Sequence, residues 1–294
     1  MASCAQSANE RHRLSRQERL KLAHEDSVAL KIAVMPTLDC LPLYVANKYN
    51  LFDSLGADVR LRLYTAQMDC DTALQRGRVE GSVTDLVRSQ RMIRQGMKLT
   101  YVTATNAYWQ LITNRNARIL NLKHLDGKMI AMTRYSATDL LADEAVLKSG
   151  LKSEYVFRVQ INDVGIRLRM LLNNSMDALV LTEPQATAAR VAKNHVLLDT
   201  RKLDMNLGAF VFRTELYRDN KRKKQISTFV KAYNMACDSI NKNGVAAYLP
   251  LILDKSGIDV DIVDSIPRNI KFRYISAPRK KDIELADKWL EKVL

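Results

Sequence analysis

The 294-residue chain contains no apolar run near the roughly 18–20 residues needed to span a bilayer as a helix. Histidine and cysteine are scarce, four of each. None of their spacings matches a metal site, so no metal or cofactor is expected. Also missing are a helix-turn-helix signature and any basic strand interleaved with aromatics. The net charge of +14 therefore does not read as a nucleic-acid surface. Its densest runs, Lys221–Lys224 and Arg279–Lys281, adjoin helix starts and read as solvated faces. No internal repeat or low-complexity segment interrupts the chain. An apolar fraction of 47% is ample for a core, and the length allows one large domain or two lobes.

What is present is alternation. Lys31–Met35 reads as an apolar strand, Pro36–Cys40 as a polar loop and Leu41–Asn50 as a helix. Strand Asp58–Tyr64, helix Asp69–Gln75, strand Val79–Thr84, helix Asp85–Gln95 and strand Leu99–Ala104 continue the series. A second block starts with a short helix, Leu120–Asp126. It then runs through strand Lys128–Thr133, helix Ser136–Ser149 closed by Gly150, strand Tyr155–Ile161 and helix Val164–Leu172 capped by Asp163. Strand Asp177–Thr182, helix Glu183–Lys193 with proline in its first turn, and strand His195–Asp199 complete it. Strands alternating with helices argue for parallel sheets. Two extended segments, Tyr108–Thr113 and Leu207–Arg213, join the blocks, as in a two-lobed clamshell with a double crossover hinge. The expected class is α/β, each lobe a mostly parallel sheet flanked by helices. Residues 1–27 would form a polar tether, 28–107 with 208–294 lobe one, and 108–207 lobe two. After Tyr217 the chain reads as helices Arg222–Asn241, Val245–Lys255, Val260–Ser265 and Lys280–Val293, expected to return onto lobe one.

Four segments carry a resemblance: KIAVMPTLDCLPLYVANKYNLF (31–52), LQRGRVEGSVTD (74–85), HLDGKMIAM (124–132) and MDALVLTEP (176–184). In order and spacing the chain resembles type II periplasmic solute-binding proteins of ABC transporters, in the nitrate/sulfonate/taurine and thiamine-precursor branch. The likeness spans roughly 28–275. It departs at Ser82, where the branch usually has an acidic residue, and at Asp39-Cys40 in the first loop. The resemblance implies a periplasmic-binding-protein-like fold, a small-molecule solute, an ABC permease subunit as partner and a monomeric state.

Open α/β sheets hold ligands at the carboxyl ends of their strands. The first lobe then offers Pro36, Thr37, Leu38 and Asp39, followed by Gln67 and Met68, and by Thr84 and Asp85, the last also a candidate helix cap. Asn106, Tyr108 and Trp109 lie near the crossing and offer an aromatic wall. The second lobe offers Arg134, Tyr135, Ser136, Ala137 and Thr138. There a helix N-terminus with hydroxyls and a guanidinium reads as an acceptor site for carboxylate or sulfonate oxygens. Asn162 and Glu183 end the next strands. Asp39 and Glu183 with Arg134 would suit a zwitterion or heteroaromatic amine better than a bare anion.

Met1-Ala2-Ser3-Cys4 resembles the end of a bacterial lipoprotein signal, with Cys4 as the lipidation site. The apolar segment that precedes such a cysteine is not in this chain, which is expected to be a trimmed form. The expected location is periplasmic or cell-surface, lipid-anchored to the membrane. Cys40 and Cys70 follow the first two strands and read either as a disulfide or as two buried thiols; Cys237 reads as core. The expected function is capture of a sulfonate, amino-sulfonate or heteroaromatic amine for import, without catalysis. The alternative is an enzyme on the same fold acting on a menaquinone- or thiamine-pathway precursor. Against it, no Ser/His or Cys/His pairing falls at the cleft loops.

Overall fold

The computed structural model describes residues 15–268 and 270–294. Cys4 and the other residues up to 14 of the expected tether lie outside the described residues, and Arg16–Val28 form a helix. Among the described residues ten strands form two five-stranded sheets. The first has the order β2 (Val59–Leu63), β1 (Leu30–Val34), β3 (Gly81–Asp85), β10 (Gly208–Arg213), β4 (Leu99–Ala104). The second has the order β7 (Phe157–Gln160), β6 (Met129–Met132), β8 (Ala178–Leu181), β5 (Gln110–Thr113), β9 (His195–Asp199). This is the two-lobed α/β class expected from the alternation.

The sheets are mixed rather than simply parallel. β10 runs antiparallel between β3 and β4, and β5 runs antiparallel between β8 and β9. The reason lies in the crossover. The two segments that pass between lobes enter their new sheet from the opposite end and run against its other strands. Apolar runs explain the inner strands. β8, with sequence ALVL, is buried at all four positions, as a strand covered on both faces requires. Gly81 lets β10 approach β3: a Cβ there would meet the Phe212 ring at 2.6 Å.

The helices are α1 (Arg16–Val28), α2 (Leu41–Lys48), α3 (Leu51–Ser54), α4 (Gln67–Gln75), α5 (Leu86–Arg94), α6 (Ala137–Ser149), α7 (Val164–Leu172), α8 (Gln185–Val191), α9 (Asn220–Asn243), α10 (Pro250–Ser256) and α11 (Lys280–Val293). Their starts are chemically specified. Asp85 caps α5, Ser136 caps α6 and Asp163 caps α7, each accepting a backbone N–H of the first turn. Gly150 ends α6 at φ 72°. The expected helix Val245–Lys255 is broken: a 3-10 turn at Val245–Ala247 precedes α10, which begins at Pro250. Proline lacks the N–H a continuous helix needs, and fits the first helical position instead. Leu120–Asp126 is a 3-10 turn over Leu122–Leu125.

α9 and α10 return onto α2, and α11 lies on α5 and also touches α6, so that it reaches both lobes. Ala286 and Leu290 are fully buried with Leu140, Leu141 and Ala145, and Trp289 Nε1 donates to Asp143 Oδ2 at 2.8 Å. An apolar stripe spaced at helical period announces a buried face but not its partner. Cys40, Cys70 and Cys237 are free buried thiols, so the first two form no disulfide; burial pushes the Cys70 and Cys237 thiols up to about 12. Among the described residues no helix is long and apolar enough to cross a membrane, and no His/Cys/Asp/Glu cluster could hold a metal ion.

Candidate functional site

The carboxyl ends of the two sheets face each other across a small cavity of about 30 Å³. At roughly 10–15 Å³ per water, that is space for about two waters. Met35, Thr37 and Asp39 reach it from the loop after β1, Gln67 from the start of α4, and Val83, Thr84 and Arg88 from β3 and α5. Ala107 and Trp109 come from the crossing before β5, Val164 and Arg167 from α7, and Thr182 from the end of β8. Five sequence-expected residues thus converge here: Thr37, Asp39, Gln67, Thr84 and Trp109.

The others lie elsewhere. Leu38 and Pro36 use their backbones to hold the opposite lobe. The Leu38 N–H donates to Glu183 O at 2.9 Å, and Pro36 O accepts from Gln185 Nε2 at 3.1 Å. Met68 and Asn162 do not line the cavity, and Asn106 Nδ2 donates to Lys271 O at 2.7 Å. Arg134 and Tyr135 line a separate cavity of about 200 Å³ with Asp139, Asp143, Arg158 and Trp289. Glu183 is buried and saturated. It accepts from Tyr108 Oη at 2.6 Å, Arg190 Nη2 at 2.7 Å, Thr187 Oγ1 at 2.7 Å and Thr187 N at 3.0 Å. Nothing of it remains for a solute amine, and Tyr108 is committed with it. The acceptor site expected at Ser136–Thr138 is also filled. Ser136 and Thr138 bond each other at 2.7 Å, and the Ala137 N–H donates to Asp85 Oδ1 at 3.1 Å.

Arg88 and Arg167 were missed, and both are only 2% exposed. Arg88 is paired: Nη2 stands 3.2 Å from Asp71 Oδ1 and 2.8 Å from Thr84 Oγ1, and Nε is 3.4 Å from Asp85 Oδ2. Its Nη1 has no partner. Arg167 Nη1 donates to Val180 O at 2.9 Å and Nε has no partner. Among the described residues no carboxylate comes within 4.0 Å of it, and burial pushes its guanidinium down to about 10. A signal for Arg167 existed. On α7 it shares a face with Val164, Leu168 and Leu171, all buried, and a charge on an apolar stripe is anomalous.

Acidic groups surround Arg88 in excess. Burial raises Asp39 and Asp85 despite the lowering influence of Arg88, and pushes Asp71 up to about 6. Asp39 accepts from Thr105 Oγ1 at 3.2 Å but forms no ion pair among the described residues. For Asp71 the sign follows directly. Its folded pKa lies above the unfolded value, so its contribution is full below about pH 4 and is lost as pH rises through 6. Asp71→Asn is therefore expected to remove a loss of up to about 2–3 kcal/mol between pH 4 and 7. Urea midpoints at pH 4, 5, 6 and 7 check this; parallel curves for both proteins would refute it.

The family model described as NMT1/THI5 like matches residues 37–247. No curated protein matches the chain in sequence. Solved structures do match in fold. The alkanesulfonate-binding protein SsuA from Xanthomonas axonopodis pv. citri, bound to MOPS, is 15% identical with a TM-score of 0.74, covering 90% of this chain and 92% of that one. A ligand-binding component of an ABC-type import system from Staphylococcus aureus, with zinc bound, is 16% identical with a TM-score of 0.73, at 90% and 92% coverage. The periplasmic nitrate-binding protein NrtA from Synechocystis is 13% identical with a TM-score of 0.69, at 80% and 68% coverage.

Proposed function

This chain belongs to the NMT1/THI5-like family, and from that premise we propose that it is the extracytoplasmic solute-binding subunit of an ABC importer. The observation that carries the reading is the charge arrangement of the interlobe cavity. Asp39 from the first lobe and Arg167 from the second line the same buried space, and neither has an ion-pair partner among the described residues. A buried charge without a partner is costly, and a solute carrying the complementary charge relieves that cost. An ammonium at Asp39 and an anionic group at Arg167 would each gain a desolvated, charge-assisted hydrogen bond and bridge the lobes.

The solute class is a small zwitterion of the amino-sulfonate kind. Gln67 Oε1, buried without a partner, is a further acceptor for its amine. Binding would act through hydrogen bonds and burial between the lobes, with no covalent step. Cys4 would anchor the polar N-terminal segment in the membrane; release of the native protein by salt alone, without detergent, would argue against that anchor.

A thermal-shift screen against amino-sulfonates, alkanesulfonates, nitrate and heteroaromatic amines tests the reading. A solute that binds only the native state stabilises it by roughly 2.7 kcal/mol at a hundredfold excess over Kd. The expected result is a shift with amino-sulfonates, and mass spectrometry returning the solute unchanged. A solute returned chemically altered would favour an enzyme, and a shift with nitrate alone would reject the zwitterion.

A further inference from the structure

The N-terminus of α6 is already occupied by a carboxylate of the protein itself. Asp85 Oδ1 accepts the Arg88 N–H of α5 at 3.0 Å and the Ala137 N–H of α6 at 3.1 Å. One carboxylate oxygen therefore caps two helices, and those helices belong to different lobes. We infer that Asp85 is a latch that holds the interlobe cleft closed, occupying the helix end that an incoming anion would otherwise take.

Several observations converge on it. Ala137 is the first residue of α6, and its N–H has no acceptor within the helix. Asp85 is 1% exposed while Ser136, Ala137 and Thr138 are 0%, so water does not replace the contact. Both helix dipoles favour a carboxylate at this point. The other bonds between the lobes near the cavity are neutral: Leu38 N to Glu183 O at 2.9 Å, Gln185 Nε2 to Pro36 O at 3.1 Å and Val164 N to Thr65 O at 3.3 Å. Among these bonds beside the cavity the Asp85 bond draws on a carboxylate, and charge-assisted bonds are the stronger kind; farther out, Asp143 accepts from Trp289 and Asp204 pairs with Arg279 across the lobes. Arg88, whose Nε stands 3.4 Å from Asp85 Oδ2, fixes the side chain from behind.

The cavity between the lobes, about 30 Å³, is too small for a zwitterion of several heavy atoms. A solute must therefore enter an open form, and the Asp85–Ala137 bond must break for that form to exist. The latch lowers apparent affinity by the fraction of molecules that are open. It also directs a solute anion to Arg167, because the helix end is taken. This consequence for the solute rests on the solute-binding reading; the latch itself does not.

Hydrogen exchange of the Ala137 amide in the wild-type, solute-free protein tests the latch directly. An N-terminal helix amide is protected only by an acceptor from outside the helix, so Asp85 should slow its exchange about ten- to a hundredfold. Exchange at the free-peptide rate would overturn the latch. Asp85→Ser gives a second test. Serine still caps α5 but is too short to reach α6. That variant should lose the protection and show a larger radius of gyration by small-angle X-ray scattering. Retained protection with an unchanged radius would also overturn the proposal. If the variant does not fold, the wild-type exchange rate still separates a latched from an unlatched amide. Neither measurement uses a transported solute, so failure here leaves the binding reading intact.

Discussion

Arg88→Met should destabilise the folded protein by about 3–5 kcal/mol, the usual cost of removing one partner from a buried ion pair. The guanidinium lies within 3.4 Å of Asp71 and Asp85, and its field also reaches Asp39. Methionine fills much of the same volume, so the loss reports charge rather than a cavity. The buried carboxylates would then have to protonate or stay ionised without a counter-charge. Urea denaturation at pH 7 measures the effect. Adding Asp71→Asn to Arg88→Met should recover part of the loss, because the two residues share one interaction. A loss below about 1 kcal/mol, the range of exposed ion pairs, would contradict the pairing described for Arg88.

Arg167→Met should leave stability unharmed and do the most damage to binding. This guanidinium donates to a single carbonyl, Val180 O, and has no carboxylate within 4.0 Å among the described residues. Replacing an unpaired buried charge by an apolar side chain of similar length is expected to be neutral, or stabilising by about 1–2 kcal/mol. Solute binding should weaken by at least about thirtyfold, the low end for a buried charged contact. Urea denaturation and calorimetric titration with the solute found by the thermal-shift screen measure the two effects separately. Destabilisation above about 3 kcal/mol with unchanged affinity would make Arg167 a structural residue. Two arginines with equal burial thus have different expected stability effects, and the difference lies in their neighbours.

Much of the architecture was legible because it depends on near neighbours in the chain. Asp163 and Ser136 announce helix starts, Gly150 announces a stop, and the period of apolar residues separates strands from helices. The match of Lys280–Val293 to α11 shows how far this reaches, since an amphipathic stripe needs only its own fourteen residues. Its packing across α5 and α6 was not legible, because the same stripe could cover either lobe. The site divides in the same way. Thr37, Asp39, Gln67, Thr84 and Trp109 were readable as residues at strand ends. Glu183 was readable as such too, yet its carboxylate is spent on Tyr108, Thr187 and Arg190.

By itself the sequence determined the order of strands and helices, the caps that bound them, the two crossings and the rim of loops between the lobes. These follow from backbone preferences and apolar period, which act over a turn or two of chain. Tertiary structure alone decided which charges remain unpaired. It brought Asp85 to Ala137 across 52 positions, and it put Arg167 and Asp39 on the walls of one small cavity. Electrostatic energy depends on distance and on the exclusion of water, and both are properties of the folded chain rather than of any segment of it.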